Sequence, residues 1–80
     1  MYALKLDPAA EAVWDALPSE AGDNLGRALA LACERPLEAT HPWGVDDKVI
    51  RQIVTPDVRA LLLVGRNTRT IAVLQIDYLR

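Results

Sequence analysis

Apolar positions set the first element. Tyr2, Leu4 and Leu6 alternate with Ala3 and Lys5, a period of two that predicts a short strand with one buried face. Asp7-Pro8 ends it: the aspartate can accept from the amides that open a helix, and proline suits the first helical position because its missing N–H has no partner there. Ala10, Val13, Trp14 and Leu17 then fall at i, i+3, i+4 and i+7, one apolar helical face that Pro18 closes. Ser19 is placed to cap a second helix, whose face is Leu25, Ala28, Leu29 and Ala32 and which Arg35-Pro36 stops. The short join between them predicts a helical hairpin.

Residues 37 to 47, LEATHPWGVDD, keep no period and contain Pro42 and Gly44, which predicts a loop. Three strands are expected after it: Val49 to Val54, Val58 to Val64 and Thr70 to Ile76, separated by turn chemistry at Thr55-Pro56-Asp57 and Gly65-Arg66-Asn67. The order is β-α-α-β-β-β. Short turns force the last three strands to be antiparallel neighbours, so the expected fold is α+β, with the hairpin on one face of a mostly antiparallel four-stranded sheet. The other face is left open to solvent or a partner. At 80 residues the chain supports one core and one domain, 1 to 80.

Charge changes this picture. The net charge of -2 conceals a division: residues 1 to 47 carry three basic residues against nine acids, residues 48 to 80 six against two. Such asymmetry suits either an anion on the basic face or attraction between the halves. On the strand Val58 to Val64, simple alternation separates Ala60, Leu62 and Val64 from Arg59, Leu61 and Leu63. Pairing across the Thr55-Pro56-Asp57 turn is expected to bring Arg51 beside Arg59 on one patch. A phosphate between two forked guanidiniums is one reading; neutralisation by Asp46, Asp47 or Asp57 is the other.

Other chemistries find little support. His41 is the only histidine and no acid cluster has ligand spacing, so no metal or other cofactor is expected. The four glycines (22, 26, 44 and 65) form no phosphate loop. Cys33, the single cysteine, excludes an intramolecular disulfide and reads as a small buried residue in a reducing, cytoplasmic setting. The N-terminus shows no apolar stretch behind a basic region, and the longest apolar run, Ala60 to Val64, is too short to span a bilayer, so neither secretion nor membrane insertion is expected. Trp43, between Pro42 and Gly44, either plugs the end of the core or offers a stacking surface, and the plug is the expected role.

The element order, the opening YALKLDPAAEAVWDALP, the helix end ACERP, and then VIRQIVTPDVRALLLV followed by TIAVLQID together resemble the RelE/ParE superfamily of toxins from type II toxin-antitoxin systems, over nearly the whole chain. The resemblance implies a cytoplasmic toxin held inactive by a cognate antitoxin. RelE-like members are mRNA endonucleases acting in the ribosomal A site: the 2′-hydroxyl attacks the adjacent phosphodiester, and basic residues stabilise the phosphorane. Carried over, Arg59 and Arg51 would stabilise the phosphate, Tyr78 would assist proton transfer or stack on a base, and Lys48 and Arg80 would be auxiliary RNA-binding cations.

Two departures keep an alternative open. Where the family continues with a glycine, a histidine or basic residue and an arginine, this chain has Asp77, Tyr78 and Leu79, and Arg80 fits only with a one-residue slip. RelE-like nucleases are also strongly basic, against a pI near 5.2 here. The alternative is a ParE-like toxin that binds DNA gyrase without cleaving RNA, or a diverged binding module. Dimerisation through the helices is left open.

Overall fold

The computed structural model describes residues 1–79. Strand β1 (Ala3–Leu6) runs into helix α1 (Pro8–Ala16) through Asp7, whose carboxylate accepts from the Ala9 amide. Pro8 occupies the first helical turn, as its fixed φ favours. Helix α2 (Ser19–Glu34) follows after Leu17-Pro18. Its capping position is Pro18 rather than Ser19, and no side chain caps it; the chain enters the helix directly from the extended proline. Strands β2 (His41–Pro42), β3 (Ile50–Val54), β4 (Val58–Gly65) and β5 (Thr70–Tyr78) complete the chain. Among the described residues the sheet has five strands rather than four. The additional β2 lies in the segment expected to be a loop, and its two residues are extended because they pair with β3, His41 opposite Gln52 and Pro42 opposite Arg51.

The strand order is β1-β5-β4-β3-β2, with β1 parallel to β5 and the other pairs antiparallel. One face carries Ile53, Val58, Ala60, Leu62, Val64, Ile71, Val73 and Ile76, all buried under Ala10, Ala21, Leu25, Leu29, Ala32 and Cys33 of the helices. Full burial of Leu25, Leu29, Leu62 and Ile71 contributes on the order of 2 kcal/mol for each side chain. The Arg35–Glu38 ion pair, with both side chains exposed, is worth less than about 1 kcal/mol, so apolar burial holds the layers together.

Alternation on β5 breaks once. Leu61 pairs with Gln75 but Leu62 pairs with Val73, so Leu74 is an extra residue. Ile76 is thereby returned to the buried face with Ile71 and Val73, whereas strict alternation puts it with Ala72 and Leu74. Trp14 lies along α2, its indole N–H donating to the Gly22 carbonyl at 3.3 Å, over Gly22 and Gly26. No helix is long and apolar enough to cross a membrane among the described residues.

Candidate functional site on the open sheet face

The connection between β3 and β4 fixes which residues share a face. Thr55 donates its amide to the Val58 carbonyl, and its hydroxyl accepts from the Val58 amide at 3.0 Å, closing a turn that sets Val54 opposite Arg59. Arg51 is three residues from Val54, an odd number, so it lies on the opposite face from Arg59 and pairs with the buried Leu62. The expected patch of two arginines is therefore not formed. Parity across a four-residue connection carried that information, had the turn length been known.

Arg51 is 4% exposed. Its Nε donates to Thr40 Oγ1 at 2.9 Å, Nη2 to the carbonyls of Thr40 at 2.8 Å and Leu37 at 3.0 Å, and Nη1 to Asp46 at 3.0 Å. The Thr40 hydroxyl in turn donates to the Pro36 carbonyl. A buried guanidinium needs this many acceptors to offset its desolvation. In meeting that need it clasps the segment from Pro36 to Asp46 against the end of the core. Of the two readings of Arg51, neutralisation by Asp46 is the one the geometry matches.

The next turn is also built from carboxylates. Asp47 Oδ1 accepts from the amides of Val49 at 2.9 Å and Ile50 at 3.0 Å, and these bonds lower the Asp47 pKa below the ordinary carboxylate value. Lys48, at φ 60°, gives its amide to Asp46 Oδ1. It stands at the start of β3, the end remote from Arg59. Gly44 turns the chain at φ +69°, in the region glycine tolerates best.

The open face carries Trp43 and His41 beside β3, then Ile50, Gln52 and Val54, then Arg59, Leu61 and Leu63, then Ala72, Gln75 and Asp77. Arg59 reaches diagonally across it, its guanidinium carbon 5.6 Å from the centre of the Trp43 ring. Trp43 is 44% exposed, so it does not plug the core. Among the described residues Arg59 makes no hydrogen bond and no ion pair; Asp77, opposite it on β5, instead accepts two bonds from Gln75 Nε2 at 3.1 and 3.0 Å. Much of the remaining surface is apolar, with Val54, Leu63 and Leu74 exposed.

Tyr78 pairs with the buried Val58 and follows Asp77 by one residue, so it projects from the other face, at the sheet's end, and is not brought to Arg59. Arg80 lies outside the described residues. Of the four described residues picked from the sequence, Arg51, Arg59, Tyr78 and Lys48, Arg59 is the one seated on the open face; Trp43, His41 and Gln52 join it there. Among the described residues no three His, Cys, Asp or Glu side chains come together as metal ligands. Cys33, 7% exposed at the end of α2, has its thiol pKa raised by burial.

This arrangement, a helical hairpin on a mostly antiparallel sheet with an arginine at the start of a central strand, is a RelE-like fold. The isolated E. coli RelE toxin superposes with a TM-score of 0.84 at 23% identity, over 100% of this chain and 86% of that one. A chain of the intact E. coli RelBE toxin-antitoxin complex gives 0.83 at 23% identity, over 100% of this chain and 99% of the other. The RelBE2 toxin-antitoxin complex of Mycobacterium tuberculosis gives 0.81 at 17% identity, over 96% of both chains. No family model matches the sequence. No curated protein matches it either. At these identities the likeness is one of fold.

Proposed function

We propose that this protein is the toxin of a toxin-antitoxin pair and acts as a RelE-like, ribosome-dependent mRNA endonuclease with Arg59 as its phosphate contact. The observation that carries the reading is the state of Arg59. A guanidinium that forms no bond to the described residues keeps its fork of N–H donors for a ligand, and that fork matches the oxygens of a phosphodiester. The likeness to RelE, alone and within RelBE complexes, supports the class.

In this reading the 2′-hydroxyl of the message attacks its neighbouring phosphorus, and the bond to the 5′-oxygen of the next nucleotide breaks. Negative charge grows on the non-bridging oxygens, where Arg59 donates. The attacking hydroxyl loses a proton and the departing oxygen gains one. Arg51 takes no part in this chemistry, because its donors are committed inside the protein. The antitoxin is the partner that covers the exposed Trp43, Val54, Leu63 and Leu74 in the inactive complex.

The apolar character of this face favours a second reading, a toxin that works by association, on gyrase or another protein, without cleaving RNA. Induced expression separates them. Truncated transcripts with the wild type and intact ones with Arg59→Ala support the nuclease; growth arrest with full-length transcripts and inhibited supercoiling supports gyrase.

A further inference from the structure

Trp43 is a large apolar side chain on a short connection, held outward at a cost in exposed surface. The backbone around it is fixed from several sides. Arg51 binds the segment before it through Leu37 and Thr40 and the segment after it through Asp46. The Trp43 amide donates to the Ile50 carbonyl at 3.4 Å, and Gln52 Nε2 donates to the Pro42 carbonyl at 3.0 Å. A ring presented on a rigid backbone loses little conformational freedom when it binds, which suits it as a platform. The cation at 5.6 Å brings a phosphate donor to the same few ångströms of surface.

We propose that Trp43, positioned by the Arg51 clasp, is the base-stacking platform of a single-stranded RNA site in which Arg59 takes the phosphate of the stacked nucleotide. An aromatic face next to a guanidinium with no hydrogen bond or ion pair among the described residues matches the two parts of a nucleotide, a flat base and an anion, better than it matches the apolar side chain of a protein partner. Stacking is tolerant of base identity, so the site sets the position of the strand rather than its sequence. The inference rests on the reading of the open face as an RNA surface, and it makes Trp43 a binding residue and Arg51 a positioning residue.

The test is fluorescence anisotropy of a fluorescein-labelled, mixed-sequence RNA octamer with the wild type, Trp43→Phe, Trp43→Ala and Arg59→Ala, over a series of salt concentrations. Circular dichroism melts confirm that each variant folds. Trp43→Ala is expected to weaken binding about tenfold or more, Trp43→Phe about threefold or less, with the salt dependence unchanged in both. Arg59→Ala is expected to lower the slope of log affinity against log salt by about 0.7, the loss of one phosphate contact on a single strand. Wild-type affinity in Trp43→Ala, an equal loss in Trp43→Phe and Trp43→Ala, or no binding by the wild type would overturn the proposal. The nuclease reading fails separately. Stacking-dependent binding with uncut mRNA on ribosomes retains the platform and removes the nuclease, whereas cleavage with unchanged octamer affinity in Trp43→Ala does the reverse.

Discussion

Replacing Arg51 by alanine removes four hydrogen-bond donations at once. The carbonyls of Leu37 and Thr40 and the Thr40 hydroxyl lose their guanidinium partner, and Asp46, half-exposed, loses its cation. An orphaned buried acceptor costs roughly 1–3 kcal/mol. Leu37 is only partly buried, so water can replace part of its bond, while the Asp46 pair contributes less than about 1 kcal/mol at its exposure. Together with lost packing of the arginine stem, the sum is about 3–5 kcal/mol. A chain of this length has a total stability of roughly 4–12 kcal/mol, so the variant is expected to melt at least about 12 °C below the wild type. Thermal and urea melts followed by circular dichroism measure this directly. A melting temperature within about 3 °C of the wild type would refute the clasp. Arg59→Ala is the matched control: with one ring contact and, among the described residues, no hydrogen bond to lose, it should cost less than about 1 kcal/mol.

Other outcomes follow from the same structure. Leu62→Ala, at a fully buried position in the middle of β4, should destabilise by about 2–5 kcal/mol, read from urea midpoints. Cys33 should react with a thiol reagent far more slowly in the native protein than in urea, since burial both shields it and disfavours the thiolate; native labelling at the unfolded rate would contradict its placement. The Asp47 carboxyl should titrate below the unfolded value near 3.8 in NMR spectra. Because the folded pKa is the lower one, its stabilising effect is present above the unfolded value and is lost as pH falls through the folded value. Protection of the Val49 and Ile50 amides relative to their intrinsic exchange rates should therefore fall in that acidic range.

The elements were legible in the sequence because they rest on local signals. Asp7-Pro8, Leu17-Pro18 and the i, i+3, i+4 apolar stripes mark both helices, and alternation marks β3 and β4. What was not legible depends on pairing. His41–Pro42 is a strand only because β3 lies beside it, and the extra Leu74 that shifts the phase of β5 leaves no mark in composition. The site followed the same division. Arg59 could be picked because it heads an apolar strand; the burial of Arg51 could not, since it follows from turn parity and from the Thr40 and Asp46 acceptors that a patternless loop supplies. The place of Tyr78 rests on likeness to a C-terminal motif, and its one-residue offset from Asp77 sends it to the other face.

The most direct test of Arg59 as a phosphate contact is cleavage of a message on programmed ribosomes by purified wild-type protein and Arg59→Ala, mapped by primer extension. The account predicts A-site cleavage by the wild type and at least about a hundredfold slower cleavage by the variant, with nearly equal melting temperatures. Equal cleavage by both proteins, or an intact message with both, would contradict it.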